Sequence, residues 1–221
     1  MKVIALASGG LDSTAMLAWL KHNNHSVEAL FIDYGQLAAK AERGASVKAA
    51  TQIGIKWHDF KVTIPFGASQ LGPNGCPPSM LPSDDPAQVH TIVPMRNTIL
   101  LSICAAHALA HGAGAVAYGA TGSDAAIYPD CRFDFVCRFR DLLRAATEGV
   151  VVIMAPWVEM SKAQVVQAVW SLGGEARLAV TDSYSCYRGG GVHCGTCGAC
   201  SGRKAAFAEA GIQDPTRYQA A

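Results

Sequence analysis

Lys2-Val3-Ile4-Ala5-Leu6-Ala7-Ser8-Gly9-Gly10-Leu11-Asp12-Ser13 is the stretch on which the fold turns. Lys2–Ala7 is a short apolar run with β-branched residues, the pattern of a buried strand. From Asp12 to about Lys21 the pattern becomes helical, with Ala15, Met16, Trp19 and Leu20 on one face. Between strand and helix, Gly9 and Gly10 let the backbone turn sharply and approach an anion. The free N–H groups and dipole of a helix start favour phosphate, and Ser8 and Ser13 add hydroxyl donors. The competing reading is a plain tight turn with Asp12 or Ser13 as helix cap. The loop is neither a Walker A motif nor a G-x-G-x-x-G dinucleotide fingerprint.

Val27–Ile32 reads as a second buried strand, followed by Asp33-Tyr34-Gly35. Gln36 to about Ile53 reads as a helix and Lys56–Val62 as a third strand. Six of the ten prolines crowd between Pro65 and Pro86, which marks an irregular insert near residues 64–91. A helix from about Met95 to Ala110 and a strand at Ala113–Tyr118 follow. Beyond them come a glycine-rich loop, a helix at Phe133–Ala146 and a strand at Val150–Met154. Ser161 is placed to cap a helix ending near Gly173-Gly174, and a last short helix covers about Gly202–Ala210. Alternating strands and helices with buried strands predict an α/β fold on an open parallel, Rossmann-like sheet. Ligands in such sheets bind beyond the carboxyl ends of the strands. That expectation gathers the loops after Ala7, Ile32, Tyr118 and Met154 around one crevice.

Composition narrows the partners. The chain has 221 residues, of which 50% are hydrophobic and 16% charged, so it has ample material for a core. Its formal net charge of +1 argues against a nucleic-acid binder, whose affinity rests on a basic surface. Mean hydropathy is +0.19. The longest stretch without Asp, Glu, Lys or Arg runs from Asn97 to Ser123, but only Thr98–Ala110 of it is strongly apolar. That segment is short of the about 20 residues a bilayer span needs. The start of the chain meets Gly-Gly and Asp too early for a secretory signal, so a cytoplasmic location is expected.

Eight cysteines then read as those of a reducing compartment, where clusters bind metal more often than they form disulfides. Cys186, Cys194, Cys197 and Cys200 fall within fifteen residues among glycines that permit tight turns. Four thiolates suit a closed, structural Zn²⁺ site. An iron–sulfur cluster or a disulfide is the competing reading. His193 is an awkward substitute ligand because it adjoins Cys194. Cys76, Cys104 and Cys137 are assigned no function. The histidines at 22, 25, 58, 90, 107 and 111 show no ligand spacing. His107 and His111 are four residues apart, but in an Ala-rich segment that reads as a core helix.

Ser8–Ser13 resembles S-G-G-x-D-S, the pyrophosphate loop (PP-loop) of the ATP pyrophosphatase superfamily. Further motifs make the resemblance narrower. They are Asp33-Tyr34-Gly35-Gln36, Val93-Pro94-Met95-Arg96-Asn97, Tyr128-Pro129-Asp130-Cys131-Arg132, Ser185-Cys186-Tyr187, the Cys194–Cys200 run with Arg203, and the tail from Phe207 to Tyr218. In that order, from Lys2 to Tyr218, they resemble the 7-cyano-7-deazaguanine synthase family. The resemblance implies an adenine nucleotide alpha hydrolase-like domain over residues 1–180 and a small helical zinc-binding region over 181–221. It implies that ATP and Mg²⁺ activate 7-carboxy-7-deazaguanine as its adenylate, and that ammonia then gives the amide and finally the nitrile. It also implies a homodimer.

The residue roles that follow are expectations. Ser8, Gly9, Gly10, Leu11, Asp12 and Ser13 would hold the pyrophosphate, with Asp12 positioning Mg²⁺, and Asp33, Tyr34, Gly35, Gln36 and Gly119 would complete the nucleotide site. Ser8, Asp12, Ser13, Arg96 and Lys162 would carry the chemistry. Arg96, Asn97, Tyr128, Pro129, Asp130, Cys131 and Arg132 would form the substrate pocket, with Asp130 reading the base edge, Tyr128 stacking and Cys131 as a wall. The plainer readings are a helix start for Arg96-Asn97, a turn for Tyr128-Pro129-Asp130 and a solvated charge for Lys162.

The chain departs from the family pattern at one place. Members follow Tyr-Gly-Gln with Arg-His and a Glu three residues later. Here Leu37 and Ala38 follow Gln36, and the acid is Glu42, one position late. The change bears on the acceptor half of the reaction. An alternative function is therefore a synthase-like ligase, linked to antiviral defence, that joins the activated acid to another amine such as a protein N-terminus. Another ligase of the superfamily, or a non-catalytic nucleotide-binding zinc module, completes the set.

Overall fold

A computed structural model describes residues 1–73 and 89–219. Five parallel strands run β1 (Lys2–Leu6), β2 (Ser26–Asp33), β3 (Lys56–Lys61), β4 (Ala115–Ala117) and β5 (Val152–Met154). They lie in the order β3-β2-β1-β4-β5. β1 is central, pairing Val3 with Val27 on one side and with Ala115 on the other. Val3, Ile4 and Ala5 are wholly buried, because helices cover both faces.

The helices are α1 (Leu11–His22), α2 (Ala39–Ile53), α3 (Arg96–Ala110), α4 (Phe133–Ala146), α5 (Lys162–Leu172), α6 (Gly174–Thr181) and α7 (Gly198–Glu209). One face packs Val3 and Ala5 against Met16 and Leu20 of α1, Ala49 of α2, Val165 of α5, Ala179 of α6 and Phe207 of α7. The other packs Ile4, Leu30 and Val116 against Leu101 and Cys104 of α3 and Phe139 of α4. The expected open parallel α/β sheet is thus present, with the cysteine-rich helical region at its C-terminal end.

Several boundaries differ from the sequence reading for local reasons. The second helix begins at Ala39 rather than Gln36, because the Gln36 side chain is used in the turn, accepting the Tyr34 N–H at 3.0 Å. The third begins at Arg96, because Met95 has φ +56° and cannot be helical. Gly173-Gly174 ends α5 but also starts α6, a helix the sequence reading did not anticipate. The last helix begins at Gly198, so Cys200 sits inside its first turn. Ser161 caps α5 as expected, in a reciprocal pair with Gln164. Of the proline-rich insert, residues 74–88, including Cys76, lie outside the described residues.

No helix among the described residues is long and apolar enough to cross a membrane.

Candidate functional site

The strand order reverses direction between β1 and β4, and at that point the connecting loops leave to opposite sides and open a crevice. A cleft of about 280 Å³ lies there. Its walls come from the ends of β1, β2 and β4: Ala7 and Ser8, Ile32 and Tyr34, Tyr118 and Gly119. The loop after β5 does not line it, contrary to expectation; the β5 side contributes Lys162, from the start of α5, to an adjoining cavity.

Gly9 has φ +76°, and a Cβ there would stand 2.4 Å from the Glu42 carbonyl oxygen and 2.7 Å from the Ser46 nitrogen. Only glycine fits. Gly119 is pressed in the same way against the backbone of α1, where a Cβ would lie 2.9 Å from the Asp12 carbonyl oxygen. Gly10 precedes α1 with no side-chain cap, so the helix's first N–H groups face the loop. Ser8 Oγ and Ser13 Oγ are 3.0 Å apart beside them. Two hydroxyls over an uncapped helix N-terminus make an anion cradle.

Beside the cradle stand Asp12, Lys162 and Asp124. Lys162 Nζ is 3.4 Å from Asp12 Oδ2 and 3.0 Å from Asp124 Oδ1. Thr121 Oγ1 donates to the other Asp124 oxygen at 2.7 Å. Burial raises the Asp12 carboxyl, and Lys162 only partly offsets it. Burial acts against the Lys162 charge, but the two carboxylates outweigh it and hold the ammonium above its ordinary range. Asp12 Oδ1 is buried and has no hydrogen-bond partner among the described residues. An orphaned carboxylate oxygen beside the helix N-terminus, with a second carboxylate held to the same Lys162, fits a hard divalent cation such as Mg²⁺. Asp124 escaped the sequence reading because it belongs to no recognisable motif.

Arg96 enters the cleft from the first turn of α3. Its guanidinium lies 5.7 Å from the centre of the Tyr128 ring. Burial opposes its charge, but Tyr34, Tyr128 and Asp130 around it overcome that and strengthen it. Gln36 Nε2 donates to Glu42 Oε2 at 2.8 Å, which brings the displaced acid into the lining. Burial raises the Glu42 carboxyl. Tyr118 and Tyr187 also line the cleft, and neither was singled out for the site from sequence.

Asn97 donates its backbone N–H to Asp130 Oδ2 at 3.0 Å, and its Nδ2 faces Cys131 Sγ at 3.4 Å. One Asp130 oxygen is therefore committed to the start of α3, and Asp130 stands behind the lining with Pro129. Arg132 is exposed and donates to the Ala125 carbonyl at 3.0 Å. Tyr128 and Cys131 do line the cleft. Asp33 turns aside to accept the Gly35 N–H at 3.0 Å.

Cys186, Cys194, Cys197 and Cys200 are buried and offer four sulfurs within 4.8 Å of one another. Burial alone would raise the Cys194 thiol, but N–H groups of Thr196 and Cys197 at 3.4 and 3.3 Å lower it. A convergent, N–H-supported four-sulfur set fits Zn²⁺ in closed tetrahedral coordination. His193 is not part of it; its Nε2 accepts the Ser185 N–H at 3.0 Å. The segment leading into the cluster touches the Ser8–Ser13 loop: Tyr184, two residues before Cys186, donates its N–H to the Gly9 carbonyl at 2.8 Å. Arg203, 2% exposed, ties the region together. It donates to Ser183 Oγ, Ser185 Oγ, Thr216 Oγ1 and the Val180 carbonyl at 2.6–3.2 Å.

Comparison with known proteins gives a consistent result. The family described as "Queuosine biosynthesis protein QueC" matches residues 2–211. A protein of a Ruegeria species named 7-cyano-7-deazaguanine synthase is 37% identical over 223 residues, covering 99% of this chain and 93% of that protein. Proteins of the same name from Rhizobium etli and Methanospirillum hungatei are 35% and 32% identical over 224 residues. Both alignments cover 99% of this chain, with 92% and 100% of the relatives.

Proposed function

The chain belongs to the QueC family of queuosine biosynthesis proteins, carbon–nitrogen ligases, and from that premise we propose that it converts 7-carboxy-7-deazaguanine to the nitrile using ATP and ammonia. The observation that carries the proposal is the meeting of the Ser8–Ser13 cradle with Asp12, Lys162 and Arg96 at the β1–β4 crevice.

A carboxylate is a poor electrophile. Its oxygen attacks the α-phosphorus of ATP, pyrophosphate leaves, and the carbonyl carbon acquires AMP as a leaving group. Ammonia displaces AMP to give the amide. A second ATP adenylates the amide oxygen, and loss of AMP and two protons leaves the nitrile. The chain's part is to hold reactants in line and neutralise charge where it develops. The α1 N-terminus, Ser8 and Ser13 hold the departing pyrophosphate. Lys162 and Arg96 face the α-phosphate and the carboxylate. Asp12 and Asp124 would hold Mg²⁺, which supplies further neutralisation. Tyr128 and Asn97 position the planar base, with Cys131 as a neutral wall. In the same reading residues 1–180 bind and activate, residues 181–221 brace the loop through zinc, and the enzyme works as a homodimer.

The experiment is product mass spectrometry after incubation with ATP, the acid and ammonium. The nitrile, AMP and pyrophosphate are expected. Substrate-dependent pyrophosphate release without nitrile would overturn the acceptor assignment. No such release from folded, zinc-loaded protein would overturn the enzyme and leave a nucleotide-binding module.

A second reading, conjugation of the activated acid to another amine, is favoured by one observation. Leu37 and Ala38 replace the family's basic pair, and the Leu37 carbonyl is packed so close to Gly189 that a Cβ there would stand 3.0 Å away. An adduct on a partner polypeptide in the same mass spectrum would establish it.

A further inference from the structure

The amino-terminal end of the sheet, away from the nucleotide cleft, holds a second cluster. His58 comes from β3, and His107 and His111 come from the last turn and the end of α3. One ring nitrogen from each lies within 4.8 Å of the others. The His107 and His111 rings are stacked with centres 3.9 Å apart, and the His58 ring meets them edge-on at 4.6 and 5.2 Å.

The hydrogen bonds around the rings decide which nitrogens are available. His58 Nε2 is 2.5 Å from Glu28 Oε2. An ionised carboxylate only accepts, so Nε2 carries the proton and Nδ1 keeps its lone pair. His111 Nδ1 is 2.8 Å from the His107 carbonyl oxygen, which also only accepts, and this leaves His111 Nε2. His107 Nε2 is buried with no hydrogen-bond partner among the described residues. Two rings are thus held at their far nitrogen by a carboxylate or a carbonyl, as metal-binding imidazoles are oriented. The third keeps a buried nitrogen that no hydrogen bond satisfies.

We propose that His58, His107 and His111 form a three-imidazole site for a zinc-class divalent metal, distinct from the cysteine cluster. Two histidines four apart on one helical face and a third from a neighbouring strand give three ligands on one side, with exposed His111 leaving a position for water. The charges nearby set the selectivity. Glu28 is paired with Lys2 at 2.9 Å and Lys56 at 3.7 Å, so the surroundings carry no surplus negative charge. Attraction must come from the imidazoles themselves, which favours zinc, cobalt, nickel or copper over Mg²⁺ or Ca²⁺. Bonds of about 2.0–2.1 Å place tetrahedral ligands about 3.4 Å apart, so on binding the nitrogens draw together and the stacked His107 and His111 rings turn out of their stack. The metal would staple the edge strand β3 to α3.

The test adds Co²⁺ to protein whose cysteine cluster retains zinc, and follows the visible spectrum. One extra equivalent per chain with d–d bands of tetrahedral rather than octahedral intensity, and no thiolate charge-transfer band, is expected. Affinity should fall at least about tenfold in both His107→Gln and His111→Gln. Added Zn²⁺ should raise the melting temperature of the parent and not of His111→Gln. If His107→Gln fails to fold, the exposed His111→Gln carries the test alone. No extra equivalent, an equivalent with thiolate bands, or binding unchanged in the variants would overturn the proposal.

Discussion

Lys162 holds its ammonium nitrogen 3.4 Å from Asp12 Oδ2, joining the start of α5 to the first turn of α1 across the crevice. Asp124, on its other side at 3.0 Å, makes it a bridge between two half-buried carboxylates. Lys162→Met should therefore lower kcat/KM for pyrophosphate release by roughly 10²–10³-fold, with circular dichroism unchanged. A near-normal rate would remove Lys162 from the chemistry.

The same pairing fixes a pH dependence. Net attraction from the two carboxylates raises the folded-state pKa of Lys162, so the stability it contributes is complete below the ordinary lysine value of about 10.4. That contribution is lost only as pH rises through the higher folded value. Substrate-dependent pyrophosphate release should show no alkaline fall from about pH 7 to 9 that disappears in Lys162→Arg.

Gly9→Ala should destabilise the chain by more than about 2 kcal/mol in urea unfolding. The residue adopts φ +76°, and the new methyl meets the backbone of α2 rather than a side chain that could swing away. An unaffected midpoint would contradict the close approach of α2 to the loop.

Cys131 is a cleft residue that burial pushes up to about 12. At pH 8 about one part in ten thousand is thiolate. Iodoacetamide at that pH should leave activity intact, and Cys131→Ala should retain turnover. Rapid inactivation traced by peptide mapping to Cys131 would point to a nucleophile instead of a wall.

Cys197→Ser should lose metal and more than about 3 kcal/mol of stability, because ligation energy is part of the folding energy of such a region. Elemental analysis and urea unfolding measure the two together. A fully stable variant would mean the region folds without its metal.

Much of this was legible in order along the chain. β1, α1, β2 and α4 stand within a residue or so of where periodicity put them, since each is bounded by its own turn signals. α6 was not, because Gly173-Gly174 reads as a stop although Gly174 also opens a helix that buries Ala179 and Val180. Within the candidate site, local motifs announced the Ser8–Ser13 loop, Arg96 and the four cysteines. Asp124 sits in an unremarkable Gly-Ser-Asp-Ala segment and gains its place only when β4 and α5 are set side by side. The histidine cluster was hidden for the same reason. His107 and His111 share a helix, but the third ring arrives from a strand about fifty residues earlier in the chain.

Under the proposed function, the backbone bond from Tyr184 to Gly9 links zinc at the cysteines and ATP at the Ser8–Ser13 loop in one thermodynamic cycle. Whatever factor zinc adds to the affinity for ATP, ATP must return to the affinity for zinc. The chelator concentration that strips half of the metal at equilibrium, compared with and without ATP, would thus measure how firmly the Ser8–Ser13 loop is held. On that reading, a region that touches no reacting atom still sets how firmly the Ser8–Ser13 loop is anchored.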